Sequence, residues 1–132
     1  MKIKIVVDAN IIISALIGGR ARIILFDKKF EFLTTFHTIK EVEKYIPTIS
    51  QYSNTSQKEI KDALALLPLK IYRRTYYKNF IKESEKLMKK IDPDDVDILA
   101  LCLKENTYIL TEDKHFDKLS NKIRVLKIKD FL

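Results

Sequence analysis

The chain has 132 residues, of which 46% are hydrophobic, with two glycines and three prolines. This length is typical of one globular domain, and the composition excludes collagen-like, low-complexity and disordered chains. The single cysteine, Cys102, excludes an internal disulfide and a cysteine framework for a metal. No apolar run reaches the roughly 20 residues of a membrane helix, and the short apolar start that ends at Asp8 does not suit a signal peptide. We expect one cytoplasmic domain over residues 1–132.

The charge balance is basic. Lysine and arginine total 25 and aspartate and glutamate total 18, which leaves a net charge of +7. A basic domain attracts polyanions, and phosphate backbones are the commonest of these. A solvated lysine-rich surface is the alternative interpretation of the same numbers, so the charge by itself does not choose a function.

Hydrophobic spacing predicts the elements of the first half of the chain. Alternating or continuous apolar runs indicate strands, and apolar residues three or four positions apart indicate helices. Gly18 is expected to close the first helix, and Pro47 is expected to bend or end the third. The predicted elements are a strand over Lys2–Val7, helices over Ile11–Ile17 and Ala21–Asp27, a strand over Phe30–Thr35, a helix over His37–Ile49, and a polar turn over Gln51–Gln57.

The second half continues the alternation. Ser56 and Glu59 have capping-box spacing, which opens a helix that runs through Leu67 and stops at Pro68. A buried helix is expected to start with Pro93 at its first position and Asp92 as its N-cap, and to include the apolar run Val96–Leu103. The other predicted elements are a strand over Leu69–Tyr72, an amphipathic helix over Tyr76–Ile91, a strand over Tyr108–Leu110, a short helix over Lys114–Leu119, and a strand over Ile123–Leu126.

Strands that alternate with helices predict an α/β fold with a parallel sheet and helices on both faces. Such sheets bind ligands beyond the carboxyl ends of their strands. Asp8 directly follows the first strand, and Asp113 follows the strand over Tyr108–Leu110. Asp95 lies in the first turn of the buried helix, and Glu41 lies in the helix after Phe30–Thr35. We therefore expect acidic side chains at one edge of the sheet.

Clustered carboxylates need a compensating cation. Carboxylates that lie close together repel one another, and burying them unpaired costs several kcal/mol. Oxygen-rich clusters select hard metals, so Mg²⁺ or Mn²⁺ is expected, and such ions assist phosphodiester hydrolysis. Without the four acids, the chain retains 25 basic against 14 acidic residues. A basic surface around an acidic pocket suits an RNA substrate.

Four sequence motifs resemble those of the PIN-domain nucleases. VVDAN at residues 6–10 resembles the opening of the family, and TIKEVEKY at residues 38–45 resembles its helix with an acidic residue. DPDDVDILAL at residues 92–101 and ILTEDKHF at residues 109–116 resemble its third and fourth motifs. No single motif is specific, but their order and spacing match over nearly the whole chain.

The resemblance implies an α/β/α sandwich with a central parallel sheet of four to five strands. It also implies a metal-dependent endoribonuclease that hydrolyses single-stranded RNA. Many relatives are the toxins of VapBC-type toxin–antitoxin pairs and many are dimers, so an antitoxin and a second copy are the expected partners. The residues implied for the site are Asp8, Glu41, Asp95 and Asp113 as catalytic residues and metal ligands, Asp97 as a further ligand, and Asn10 and Thr111 as supporting side chains.

Several assignments stay open. A helical wheel does not choose between Glu41 and Glu43, although the resemblance favours Glu41. Asn10 is interpreted as either a helix N-cap or a side chain that positions a water. His37 and His115 are isolated in the sequence and are interpreted as structural or exposed. Basic and aromatic residues that interleave suit single-stranded RNA, but these tyrosines equally suit core or dimer contacts; the residues concerned are Tyr72, Arg73, Arg74, Tyr76, Tyr77 and Lys78.

Two other classes of function compete with the nuclease. A binding module with weak or no catalysis would share the fold, and an acid that points away from the cluster would favour it. A phosphoryl-accepting receiver domain also places acids at strand ends. It needs an acidic pair after the first strand, which Asp8-Ala9-Asn10 does not supply.

Overall fold

A fully parallel sheet forms the centre of the protein in the computed structural model, which describes residues 2–88 and 90–131. Within these residues the sheet has five strands in the order β3-β2-β1-β4-β5, so β1 lies in the middle. Each neighbouring pair runs parallel, as the alternation of elements predicts. The strands are β1 (Ile3–Val7), β2 (Phe30–Thr35), β3 (Leu69–Tyr72), β4 (Tyr108–Leu110) and β5 (Arg124–Leu126).

Helices cover both faces of this sheet. Among the described residues no helix is long and apolar enough to span a membrane. The α-helices are α1 (Ala9–Ile17), α2 (Arg20–Leu25), α3 (Phe36–Lys44), α4 (Ile46–Ser53), α5 (Gln57–Leu66), α6 (Arg74–Tyr77), α7 (Ile81–Met88) and α8 (Val96–Glu105). Short 3₁₀ helices occupy Lys78–Phe80, Pro93–Asp95, Lys114–Leu119 and Ile128–Phe131.

Alternating strand residues divide the core into two apolar clusters. Successive side chains of a strand point to opposite faces. Ile5 and Val7 of β1 pack in the cluster that contains α1, α2, α4 and α5, whereas Val6 packs in the cluster that contains α8. All three side chains are almost fully buried. The fold is therefore the three-layer α/β/α sandwich that the resemblance implies, with the larger of the predicted strand numbers.

The predicted strands agree closely with the observed ones. The spans predicted over Phe30–Thr35, Leu69–Tyr72 and Tyr108–Leu110 coincide with β2, β3 and β4. Gly18 closes α1 as expected, with φ at 128°. L side chains rarely adopt this backbone conformation, so glycine is the residue that can end the helix in this way.

The helix predicted over His37–Ile49 is two helices. The first, α3, ends at Lys44, and Pro47 lies in the first turn of α4. Proline costs little there because the amide of that position has no partner within the helix. The predicted turn over Gln51–Gln57 is wrong in its first half, since α4 continues to Ser53 and ends at Asn54 in the left-handed conformation.

The single helix predicted over Tyr76–Ile91 is also wrong. Helix α6 ends at Tyr77, a 3₁₀ turn follows, and α7 then runs over Ile81–Met88. Tyr77 has φ −116 and ψ 16, which departs from helical geometry. Its ring is buried and its hydroxyl donates to Asp97 over 2.6 Å, so a tertiary contact overrides the helical pattern. Lys89, inside the predicted span, lies outside the described residues.

Ser56 caps α5 as its spacing predicts. Its Oγ accepts a hydrogen bond of 3.1 Å from the backbone N–H of Glu59. We expect Ser56→Ala to lower the free energy of unfolding by about 1 kcal/mol, because that amide loses its acceptor. Urea denaturation of Ser56→Ala beside Ser120→Ala, an exposed serine away from helix starts, measures the effect. Equal stability of the two variants would contradict the assignment of the cap.

Candidate active site

The carboxyl ends of β1 and β4 form a crevice at the middle of the sheet. The connections that leave these neighbouring strands pack on opposite faces, since α1 joins one core cluster and Phe116, after β4, joins the other. Open α/β sheets bind ligands at such a point. The backbone N–H of Asp8 donates to the carbonyl of Leu110 over 3.1 Å, which ties the end of β1 to the end of β4.

Acidic side chains line a cavity of about 150 Å³ in this crevice. They include the four acids that the motifs single out, together with Asp92. The structure thus brings residues from four separate segments of the chain to one place. The lining consists of Asp8, Ala9, Asn10, Ile13, Glu41, Tyr45, Asp92, Asp95 and Asp113.

Asp8 is the most firmly held of these acids. Its side chain is 3% exposed, and it caps α1 by accepting a 2.8 Å hydrogen bond from the backbone N–H of Ala9. Its second oxygen accepts from Asn10 Nδ2 at 3.0 Å and from Thr111 Oγ1 at 2.9 Å. These donors fix the orientation of the carboxylate at the end of β1.

Asn10 and Thr111 connect the two strand ends. Asn10 Nδ2 also donates to Thr111 Oγ1 over 3.0 Å, and Asn10 Oδ1 accepts from the backbone N–H of Glu112 over 3.1 Å. Thr111 Oγ1 accepts in turn from the backbone N–H of Asp113 over 3.0 Å. The N-cap interpretation of Asn10 is wrong, because Asp8 occupies the cap and Asn10 lies within α1.

Asp95 and His115 form the second part of the cluster. His115 Nδ1 lies 3.2 Å from Asp113 Oδ1, 3.6 Å from Asp95 Oδ2 and 3.9 Å from Asp92 Oδ2. Among the described residues, Asp95 Oδ2 and His115 Nδ1 are the buried side-chain atoms without a hydrogen-bond partner. Buried polar atoms are rarely left unpaired, so this pair points to a ligand between them.

Burial and the charges of neighbouring acids raise the pKa values of Asp95 and Asp8. Burial raises the pKa of Asp95 to about 8, and the charges of Asp8, Asp92, Asp113 and Glu41 add to the rise. Burial also raises the pKa of Asp8, although its bonds from Thr111 and Ala9 oppose the change. A cation in the cavity would reverse these effects by favouring the charged carboxylates.

The structure shows that Glu41, and not Glu43, lines the acidic cavity. Glu41 lines the cavity from α3, and burial followed by the charge of Asp8 raises the pKa of its carboxyl to about 7. Glu43 is exposed and pairs with Lys40 at 3.3 Å. The helical wheel alone left this choice open, and the way α3 packs beside the cavity decides it.

Asp97 lies apart from the acidic cavity. Its Oδ2 accepts from Tyr77 Oη at 2.6 Å and lies 3.3 Å from Arg74 Nε. Its Oδ1 faces Arg74 Nη2 at 3.5 Å. The expectation that Asp97 is a further metal ligand is corrected by this placement, since both oxygens already face donors of the protein.

Of the predicted RNA-binding residues, Arg73 and Arg74 line a second, neighbouring cavity. Lys78 is exposed in the 3₁₀ turn that follows α6, away from that lining. The core interpretation is confirmed for one of the three tyrosines. Tyr77 is a core residue, whereas Tyr72 and Tyr76 stack on one another with centroids 4.2 Å apart.

Sequence reasoning missed His115, Tyr45 and the free oxygen of Asp92. Asp92 is an N-cap as predicted, because its Oδ1 accepts from the backbone N–H of Asp94, but it caps the 3₁₀ turn Pro93–Asp95 that precedes α8. Its Oδ2 nevertheless faces the cluster. A signal existed for two of these residues. Tyr45 follows Glu41 by one helical turn, and His115 follows Asp113 by two residues after a strand end.

The residues present fit a divalent cation. Asp92, Asp95, Asp113 and His115 each offer one ligand atom, and these atoms lie within 4.8 Å of one another. Carboxylate oxygens suit Mg²⁺ and Mn²⁺, and an imidazole nitrogen is a common additional ligand for transition metals. The two buried atoms without hydrogen-bond partners and the raised pKa of Asp95 agree with a site for a positive charge.

Solved structures share this fold. VapBC2 from Rickettsia felis, bound to a DNA fragment from their promoter, aligns with a TM-score of 0.65 at 18% identity, over 95% of this chain and 98% of that chain. VapBC-1 from nontypeable Haemophilus influenzae aligns with a TM-score of 0.66 at 18% identity, over 96% and 99% of the two chains. Identities this low show the fold alone. No curated protein matches the sequence.

The sequence pattern of a PIN domain family, PIN_2, matches residues 6–127. This match includes the ends of β1 and β4 and every residue of the acidic cavity. Because the family pattern spans nearly the whole chain and the fold agrees with it, the chain belongs to the PIN domain family.

Proposed function

We propose that the protein is a metal-dependent endoribonuclease that hydrolyses single-stranded RNA. The observation that carries this proposal is the convergence of Asp8, Glu41, Asp95 and Asp113 on one cavity with two unpartnered buried atoms. The net charge of +7 supports a polyanionic substrate. Family membership supports nuclease chemistry.

In this proposal Asp8, Glu41, Asp95 and Asp113 hold Mg²⁺ or Mn²⁺, with Asp92 and His115 at the same cluster. A bound cation of this kind lowers the pKa of water and stabilises negative charge on phosphoryl oxygens. Asn10 and Thr111 orient the carboxylate of Asp8 through the hydrogen bonds described above. The net positive charge of the chain attracts the RNA strand.

Glu41 is the candidate proton acceptor. Its carboxyl is half-buried and lines the cavity, and its pKa is about 7 in the metal-free protein. A bound cation would favour the charged carboxylate, and a carboxylate at this place can take a proton from a water in the cavity. Glu43, exposed two residues further along α3, has no access to the cavity lining.

We expect Glu41→Gln to lower RNA cleavage at least about 100-fold, whereas Glu43→Gln leaves the rate unchanged. The two substitutions are chemically identical and lie on one helix. Cleavage of an end-labelled single-stranded RNA is measured with Mg²⁺, with Mn²⁺ and with EDTA, with Asp8→Asn as a second inactive variant. Cleavage that persists in EDTA or in Asp8→Asn would refute the proposed site. Absence of cleavage with both ions would favour the binding module.

The proposal extends to partners. The VapBC likeness supports an antitoxin as a protein partner. The motif resemblance supports a second copy of this chain as another partner. Expression of the chain alone is then expected to arrest cell growth, and co-expression of the adjacent reading frame to relieve the arrest. Light scattering of the purified protein gives its molar mass in solution, and we expect twice the mass of one chain. The buried free thiol of Cys102 agrees with the proposed cytoplasmic location.

A further inference from the structure

We propose that a second cavity beside the acidic one binds a nucleotide of the RNA strand next to the scissile phosphate. This inference rests on the proposed nuclease function and names a binding site for its substrate. The cavity has a volume of about 430 Å³ and combines cationic, aromatic and apolar walls. Its lining consists of Phe36, His37, Arg73, Arg74, Tyr77, Pro93 and Asp97.

The second cavity lies at the same edge of the sheet as the acids. Phe36 directly follows β2 and Arg73 directly follows β3, just as Asp8 follows β1. These strands are neighbours in the order β3-β2-β1. Because adjacent strands lie about 5 Å apart, the second cavity lies roughly one to two strand spacings from Asp8. An RNA strand that runs along this edge therefore reaches both cavities.

A short 3₁₀ turn lies between the two cavities. Pro93, at its start, lines the second cavity, whereas Asp95, at its end, lines the acidic one. Helix α3 contributes to both in the same way, with Phe36 at its first position and Glu41 in its second turn. The two sites therefore share walls, and a ligand in one lies next to a ligand in the other.

Arg73 and Phe36 form a stacking platform. The guanidinium carbon of Arg73 lies 4.3 Å from the ring centroid of Phe36. Arg73 is exposed, so its guanidinium is accessible to a ligand. Single-stranded RNA bases stack on arginine planes and aromatic rings, and a planar cation also attracts the phosphate beside the base.

Arg74 is held in place by a buried anchor. Its Nε lies 3.3 Å from Asp97, and Asp97 accepts the 2.6 Å hydrogen bond of Tyr77. Asp97 and Tyr77 are 6% and 1% exposed, which makes this support rigid. An arginine has five N–H donors, so the donors that do not face Asp97 remain for a phosphate. Fixing the side chain before binding lowers the entropy cost of recognition.

A nucleotide fits these walls better than an acidic peptide does. The cationic groups attract either ligand, but the platform of Arg73 and Phe36 binds a flat base by stacking. The mixture of a planar platform and an anchored arginine is therefore the chemistry of single-stranded nucleic acid.

Binding is tested separately from cleavage. The fluorescence anisotropy of a fluorescein-labelled oligouridylate is measured with the wild-type protein in EDTA over a range of salt. We expect Arg73→Gln to weaken binding about tenfold and to reduce the slope of log K against log salt by about one. Arg20→Gln, the matched control, removes an exposed arginine at the start of α2, beyond the far end of α1, and should change neither quantity.

A second pair of variants separates stacking from charge. Phe36→Tyr keeps the ring and should bind like wild type, whereas Phe36→Leu should weaken binding about fivefold with the salt slope unchanged. Thermal melts check that each variant is folded. Equal binding by Arg73→Gln and Arg20→Gln would overturn the proposal. Displacement of the oligouridylate by polyglutamate as effectively as by unlabelled RNA would assign the cavity to an acidic protein segment.

The nuclease proposal fails in a different way. If the Arg73 and Phe36 variants lose RNA binding but the wild-type protein cleaves no RNA with Mg²⁺ or Mn²⁺, the nucleotide assignment of the second cavity stands and the proposed nuclease activity is refuted. If cleavage depends on Glu41 while the Arg73 variant binds and cleaves like the Arg20 control, the nuclease stands and the cavity assignment falls.

Discussion

Asp95→Asn is expected to stabilise the metal-free protein and to abolish its metal-dependent cleavage of RNA. The carboxyl is 5% exposed, faces other acids and has a pKa raised to about 8 by burial first. Replacing it with a neutral amide removes the cost of a buried charge. In EDTA at about pH 8, we expect the free energy of unfolding to rise by about 2 kcal/mol. Cleavage with Mg²⁺ or Mn²⁺ should fall at least about 100-fold, because the cation loses a central ligand.

The matched control for this variant is Asp94→Asn. Asp94 lies one residue earlier in the same turn and is exposed, so its substitution makes the same chemical change without removing a buried carboxyl. Urea denaturation in EDTA compares the two, and RNA cleavage is measured in parallel. A stabilised Asp95→Asn variant that retains full cleavage would show that Asp95 is not a ligand. A destabilised variant would mean that the carboxylate is charged and already compensated within the protein.

The stability of the metal-free protein is expected to fall as pH rises. Asp95 and Glu41 have ordinary values of 3.8 and 4.5 but pKa values of about 8 and about 7 in the folded protein. Below about pH 4 both states carry these protons. Between about pH 4 and about pH 8 the folded state binds more protons than the unfolded state, so stability declines through this window. Above about pH 8 the stability that these two groups contribute at low pH is fully lost.

Thermal melts in EDTA at about pH 5.5 and about pH 8 measure this decline, and we expect a fall in Tm on the order of 10 °C. Saturating Mg²⁺ or Mn²⁺ should narrow the difference, because a cation favours the ionised carboxylates and binds the folded state alone. Potassium chloride at the same ionic strength is the control for screening. A stability that rises with pH, or an equal effect of the cation at both pH values, would contradict the account.

These two results share one physical cause. Five acids lie around a small cavity, and the described structure leaves a carboxylate oxygen and an imidazole nitrogen there without hydrogen-bond partners. An arrangement of this kind lowers the stability of the empty domain. A loss of stability of this kind is typical of a binding site. A bound cation offsets the repulsion between the carboxylates that surround it.

Local signals in the sequence predicted most of the fold. The apolar run of β1, the span of β2 and the Ser56 cap depend on neighbours close in the chain, and each prediction agrees with the structure. The helix over Tyr76–Ile91 did not follow its local pattern. The hydroxyl of Tyr77 satisfies a buried carboxylate twenty positions away in the chain, and no periodicity of the segment itself could reveal that partner.

The acidic site shows the same division between what the sequence predicted and what only tertiary contacts decided. The resemblance of the motifs to those of the PIN family singled out Asp8, Glu41, Asp95 and Asp113. The strand predictions by themselves placed Asp8 and Asp113 at one edge of the sheet, because both follow the carboxyl ends of parallel strands. The roles proposed for them stay predictions. The tertiary structure decided that Glu41 and not Glu43 faces the cavity, that Asp97 pairs with Arg74 instead, and that His115 joins the cluster. Each of these outcomes depends on which side chains from distant segments meet, and packing in three dimensions, not sequence spacing, determines such contacts.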